Sequence, residues 1–226
     1  MWYLDKSILV DPNLNCMLPV DYFGREALLF LWKFHNMHAV LVHGIFNTSK
    51  VFFLMKKSLE AHDIACITPE LRPKDGKYGI EDLANKLRLE INNILDQSQK
   101  FILIGFSMGG IISRYYLQYL GGAKRISHFF SISAPHHGSY LAYLYPGKGT
   151  KQLRPGSEFL ADLNANEDNL NHTKLFSFWT PLDLTIIPSS SSRWERSINI
   201  KVYSLLHPLM VFNKQVINGI LARLPG

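Results

Sequence analysis

Cysteine is nearly absent: Cys16 and Cys66 are the two in a chain of 226 residues. They fit no metal-ligand or redox spacing, and two thiols cannot build the framework of a disulfide scaffold. Cys66, within Ile64-Ala65-Cys66-Ile67, reads as a buried structural thiol. Long apolar runs are also missing. The longest near the N-terminus, Ala27 to Trp32, is far below the roughly 20 residues that span a bilayer, so no transmembrane segment is expected. Asp5 and Lys6 interrupt the N-terminus, which does not read as a signal peptide, so a cytoplasmic location is the default expectation. Charge is sparse at 19%, and the 24 Lys and Arg residues come in ones and twos, as in Lys56-Lys57 and Lys124-Arg125. Without a basic run or a basic-aromatic array, no nucleic acid partner is expected. The net charge of +6 is compatible with peripheral attraction to anionic membrane surfaces. Repeats and linkers are lacking too, which leaves a single domain over residues 1–226 as the expectation.

Hydrophobic residues make up 47% of the chain, a globular composition. Buried-strand patterns begin at His38, Ile64, Phe101, Ile126, Lys174 and Ile198. Between them lie helical patterns: one capped at Thr48 or Ser49 and running to about Ala61, then Ile80–Asp96, Ile111–Leu120 and Ser157–Leu163. A last helix is expected over Pro208–Leu224. The stretch from Tyr140 to Pro155 reads as irregular. This alternation predicts an α/β protein, a mostly parallel sheet covered by helices on both faces. Residues 1–37 form an N-terminal appendage, with one apolar helix expected over Tyr22–His35.

The most informative stretch is Phe101-Ile102-Leu103-Ile104-Gly105-Phe106-Ser107-Met108-Gly109-Gly110. An unbroken apolar run leads into G-x-S-x-G, and a helical pattern leaves it. Strand, tight turn and helix are the setting in which this motif presents a nucleophile. A serine hydroxyl must project from a strained corner toward a base, and Gly105 and Gly109 relieve crowding around that corner. The helix start turns its N–H groups toward the same point, so the Met108 main chain is a candidate oxyanion donor. The second donor is expected from the loop after the first strand of this region, His43-Gly44-Ile45-Phe46. There the Ile45 N–H is selected, with Phe46 as its neighbour.

An activated serine needs a base and an orienting acid, expected in the order acid then histidine at later strand ends. Glu158, Asp162, Glu167, Asp168 and Glu195 lie on a short helix, in a polar segment or before a strand. Asp183 alone stands just past a strand, Lys174–Trp179. Of nine histidines, only His207 follows Asp183. His43 precedes the nucleophile and reads as structural. His136-His137 invites a metal reading, but adjacent residues rarely face one ion and no third ligand spacing accompanies them, so no metal or cofactor is expected.

These residues resemble the α/β-hydrolase fold lipases and esterases, particularly small bacterial triacylglycerol lipases. The resemblance rests on V-H-G-I-F at 42–46, G-F-S-M-G-G at 105–110, S-A-P-H-H-G-S at 133–139, R-P-G-S-E-F-L at 154–160, L-D-L-T-I-I-P at 182–188 and His207. It implies ester hydrolysis through an acyl-enzyme, with Ser107 as nucleophile, Asp183 as acid, His207 as base and the main chains of Ile45 and Met108 as oxyanion hole. Phe106 departs from the His that many such lipases carry. The expected substrate is a lipid-like or other apolar ester, against a pocket of Phe46, Phe106, Tyr140 and Tyr143. An acyltransferase or thioesterase on the same fold is the alternative, as is a catalytically silent binding protein. No insertion is long enough for a large helical lid, so dissolved short and medium esters are expected as substrates.

Overall fold

The computed structural model describes residues 8–10, 17–19 and 37–224. The chain divides into two units, Met1–Asn36 and Met37–Gly226. In the first, β1 (Ile8–Val10) pairs antiparallel with β2 (Met17–Pro19). The expected helix over Tyr22–His35 lies outside the described residues.

The second unit is built on six parallel strands: β3 (Met37–Val42), β4 (Ile64–Ile67), β5 (Phe101–Phe106), β6 (Ile126–Ile132), β7 (Lys174–Trp179) and β8 (Ile198–Lys201). Their spatial order is β4-β3-β5-β6-β7-β8. β3 and β5 are buried along nearly their whole length, as parallel strands covered on both faces must be. Side chains alternate between the faces. Ala39, Leu41, Ile102, Ile104, Phe106, Phe130, Ile132, Phe176 and Phe178 share one core with residues of α1 (Phe53–Glu60) and α6 (Lys214–Leu221). On the opposite face lie α2 (Ile80–Ile94) and α3 (Met108–Tyr119), packed on each other, with α3 against β5. The expected class, a mostly parallel sheet between helices, is the one observed.

Several local expectations change. The segment after β3 starts as a 3-10 turn, Ser49–Phe52, and Thr48 makes no side-chain cap; the Ser49 N–H instead donates to Glu70 Oε1 at 2.6 Å. The segment expected to be irregular holds a 3-10 helix, Tyr140–Leu144, and a short helix α4, Lys148–Gln152. Gly147 enters α4 at φ +117°, a conformation L side chains rarely adopt, which explains why apolar periodicity gave no sign of it. Ser157 does cap the next helix, α5 (Glu158–Ala165), accepting from the Leu160 N–H. The last helix is split. His207–Phe212 is 3-10, and Asn213 then caps α6 by accepting from Gln215 N–H at 2.8 Å. An Asn at that position competes for backbone groups and restarts the helix.

Phe130 is fully buried on β6, and its ring centroid lies 5.0 Å from that of Phe176. Phe130→Ala should cost about 3–5 kcal/mol of unfolding free energy. Urea unfolding followed by circular dichroism checks this, and a loss below about 1 kcal/mol would mean that the core collapses into the space.

Candidate active site

Ser107 occupies the corner between β5 and α3 with φ +54° and ψ −127°. An L-residue held there is strained, and the strain is sustained by bonds on either side. The Ser107 N–H donates to Ile132 O at 2.9 Å and its carbonyl accepts from Gly110 N–H at 2.9 Å. Side chains have no room around the corner. A Cβ on Gly109 would stand 2.1 Å from Val42 O, and one on Gly105 would stand 2.6 Å from Gly110 Cα. One on Gly44 would stand 2.9 Å from Ser107 Cβ, so the loop after β3 runs directly past the serine.

That loop is held by His43. Its Nε2 accepts from Leu71 N–H at 3.1 Å, which leaves Nδ1–H to donate to Gly44 O at 2.9 Å. Burial keeps its pKa below the ordinary imidazole value. This tie is not readable from local pattern, because Leu71 is remote in the chain. The Phe46 N–H donates to Lys74 O at 2.9 Å, whereas no acceptor is found for the N–H groups of Ile45 and Met108 among the described residues. Ile45, Ser107 and Met108 line one apolar cavity of about 60 Å³, together with Pro135, Ser139, Leu141, Ala142, Leu153 and neighbours.

Asp183 lies on the turn after β7. Its Oδ2 accepts from His207 Nδ1–H at 2.8 Å, and its Oδ1 accepts from the N–H groups of Thr185 and Ile186, both at 2.9 Å. Burial pushes this carboxyl up, but the bond and charge of His207 and the two N–H groups outweigh it, and the pKa stays below its usual value. The His207 ring packs on Phe106, the residue before Ser107, at 4.8 Å between centroids. Its Nε2 is buried and has no hydrogen-bond partner among the described residues. The competing acids are engaged elsewhere: Asp162 with Tyr119, Glu167 with Arg114 and Trp194, Glu195 with His137.

Of the predicted pocket residues, Tyr140 and Tyr143 are stacked on each other at 6.4 Å and Phe46 packs on Tyr145 at the cavity's edge. Phe106 is fully buried and supports His207 instead of lining the cavity. Phe46, Tyr140 and Tyr143 are each more than half exposed and lie outside the cavity wall. The 3-10 turn that carries the two tyrosines contributes Leu141 and Ala142 to the lining, which is otherwise mostly aliphatic, with Tyr145 as its aromatic member. Ser139 was missed as a site residue. Its hydroxyl donates to Thr185 O at 2.8 Å and accepts from Ile187 N–H at 3.0 Å, pinning the cavity wall to the turn that carries Asp183. His136 and His137 face different partners, Ser131 and Glu195.

A family model described as alpha/beta hydrolase fold matches residues 40–200. Among solved structures the chain is similar to a lipase of Bacillus licheniformis, BlEst2 in its mature form, at 19% identity and a TM-score of 0.69, covering 83% of this chain and 91% of that one. It is also similar to lipase B of Aspergillus fumigatus, at 15% identity and a TM-score of 0.68, covering 93% of this chain and 54% of that one. A polyneuridine aldehyde esterase variant aligns at 18% identity with a TM-score of 0.59, over 83% and 99% of the two chains. At these identities the likeness is one of fold. No curated protein matches the sequence.

Because the native Asp183 carboxyl is held below its unfolded value of about 3.9, it contributes stability above that pH and loses it as pH falls through the native value. Asp183→Asn should therefore cost about 1–3 kcal/mol near neutrality, the worth of a charged hydrogen bond. That deficit should narrow toward about pH 3, as read from paired urea midpoints. A constant deficit would mean the carboxylate is not what stabilises the turn.

Proposed function

The chain belongs to the alpha/beta hydrolase fold family, and from that premise we propose that it is a serine carboxylic-ester hydrolase acting on apolar, lipid-like esters. The observation that carries this reading is the buried, unpartnered Nε2 of His207, on an imidazole that is hydrogen-bonded to Asp183 and packed on the residue before Ser107. Asp183 accepts the Nδ1 proton, so Nε2 keeps its lone pair for the Ser107 proton.

In the proposed sequence, Ser107 Oγ attacks the ester carbonyl carbon while its proton passes to His207 Nε2. The oxyanion that forms is stabilised by the Ile45 and Met108 N–H groups, which are free for that role. The intermediate collapses, the leaving alkoxide takes the proton from His207, and the acyl group stays on Ser107. Water then enters by the same route and releases the acid. Asp183 holds the imidazole tautomer and stabilises the imidazolium.

The acyl chain is assigned to the cavity of about 60 Å³. A space of that size takes the start of an acyl chain and not a long fatty tail. Beyond it lie exposed apolar side chains on the loops after β3, β6, β7 and β8, among them Phe46, Leu144, Leu184 and Leu205. Exposed apolar surface of this kind suits the rest of an apolar substrate and peripheral contact with a membrane. No helix among the described residues is long and apolar enough to cross one.

A fluorophosphonate should label Ser107 and abolish ester turnover. Ser107→Ala and His207→Ala should fall by similar, multi-order factors, leaving about 10³–10⁴-fold catalysis over water. Labelling at a different serine in an active Ser107→Ala protein would overturn the assignment. Added alcohols separate hydrolysis from acyl transfer by product analysis.

Acyl preference should rise with chain length while the cavity fills, by up to about 0.8 kcal/mol per methylene, and level off among the short acyl chains. A p-nitrophenyl ester panel from acetate to palmitate, measured below and above solubility, checks both the cut-off and the absence of a lid. Activity confined to the insoluble range is the contrary outcome.

A further inference from the structure

Seven residues after Ser107, on the same helix, Arg114 is fully buried. Few buried arginines are so completely engaged. Its Nη2 donates to Glu167 Oε1 at 2.9 Å, Asn164 Oδ1 at 3.0 Å and Leu163 O at 3.1 Å, and its Nε donates to Gln118 Oε1 at 3.3 Å. Its guanidinium lies 4.4 Å from the Trp194 ring centroid, and Trp194 Nε1–H donates to the same Glu167 oxygen. Burial lowers its pKa to about 10 against the pull of Glu167, so it is charged at neutral pH.

The remaining nitrogen, Nη1, meets His136 Nδ1 at 3.3 Å. A guanidinium has no acceptor, so His136 Nδ1 must be the unprotonated nitrogen. Its proton then sits on Nε2, which donates to Ser131 Oγ at 2.9 Å. Ser131 donates to Ser177 Oγ at 2.9 Å, and Ser177 donates to Ser192 O at 2.6 Å. The direction of every bond follows from the first. This relay starts on the helix of Ser107, crosses the ends of β6 and β7, and ends on the segment whose Ser191 hydroxyl donates to Gly138 O. His136 itself stands between Pro135 and Ser139, which both line the Ser107 cavity. Its ring is stacked on Trp194 at 4.8 Å.

We propose that Arg114 and His136 are positioning residues for the reaction: through one directed hydrogen bond they lock the Pro135–Ser139 wall of the acyl cavity to the helix that carries Ser107. The role rests on the ester-hydrolase reading above. Neither residue touches the reacting atoms. A wall that is fixed on α3 keeps the cavity's shape in register with the nucleophile, and through Ser139 it keeps the Asp183 turn in register too. His136 must stay neutral to accept from Arg114, and its burial beside the Arg114 charge holds its pKa far down.

The tautomer is tested on the wild-type protein, independently of any ester activity. Long-range proton–nitrogen NMR should show His136 protonated at Nε2 alone and unchanged from about pH 5 to pH 8. Protonation at Nδ1, or titration in that range, overturns the proposal. Kinetics test the role. His136→Phe keeps the stack on Trp194 but removes both ring nitrogens. It should lower kcat/KM for the preferred acyl length about tenfold, mainly through KM, and erase most of the preference over acetate. His136→Asn, whose Oδ1 can accept from Arg114, should recover part of both. Arg114→Lys, which keeps the charge but not the fork, should follow His136→Phe. A uniform loss at every chain length, with discrimination intact, would reduce the pair to fold stability. If the variants do not fold, the tautomer measurement still decides. Absence of ester turnover in a wild-type protein with the expected tautomer would sink the hydrolase reading and leave the lock in place.

Discussion

The first turn of α3 approaches the ends of β3 and β5 so closely that no side chain fits between them. Gly109 lies against the carbonyls of Val42 and His43, and Gly105 against the backbone of Gly110. This contact forces Ser107 into a positive φ, because the chain must leave the strand and enter the helix within one residue. It also directs the start of α3 at the spot the hydroxyl occupies, so strain and favourable dipole come from the same constraint. The loop after β3 is drawn to that spot from the other side, with Gly44 against Ser107. A cavity bounded by Ile45 and Met108 follows directly from two backbones packed without Cβ atoms.

The buried polar groups around this corner are handled in two ways. The carboxylate of Asp183 is saturated: two backbone N–H groups on one oxygen and His207 on the other. Such an anion is stable where an unpaired one would not be. His207 is left unsaturated on its Nε2 among the described residues, as are some other buried atoms such as Ser133 Oγ and His128 Nε2. What sets His207 apart is that Asp183 fixes its other nitrogen and that its ring packs on the residue before Ser107. The Arg114 network is the opposite case, a fully buried cation whose three nitrogens each have an acceptor. It rigidifies the body beneath the corner while the corner keeps its spare valence.

The succession of strands along the chain, the corner and the Asp183–His207 pairing were legible because each depends on local chemistry or on chain order. FILIGF is a buried strand on composition alone, and glycines at 105 and 109 announce a crowded turn. The position of Asp183 just past β7 and the uniqueness of a later histidine made their hydrogen bond readable before any geometry. The cavity lining was not legible. Which face of Tyr140–Leu144 turns inward depends on a 3-10 twist, on Gly147 at positive φ and on Ser139 bonding to residues nearly fifty positions away. Periodicity reports faces of long regular elements and is silent on a five-residue 3-10 turn. Phe106 misled for a simpler reason. It precedes the serine in sequence, but strand alternation sends its ring to the opposite side of the sheet from α3, under His207.

The split between a small half-open cavity and a wide exposed apolar border has a structural cause. Loops leaving the carboxyl ends of parallel strands converge on one edge of the sheet. Here they are anchored to one another near their bases. Ser139 ties the β6 loop to the β7 loop, Thr180 ties the β7 loop to Ser204 after β8, and Phe46 ties the β3 loop to Lys74. Anchored loops can bury the side chains at their bases, such as Ala142, Leu153 and Ile186, but cannot fold over their own tips. Leu144, Leu184 and Leu205 are therefore left facing water, each more than two thirds exposed. The small cavity and the uncovered apolar border therefore follow from the same set of anchors, since a loop folded over the border would have to give up the bonds that shape the cavity.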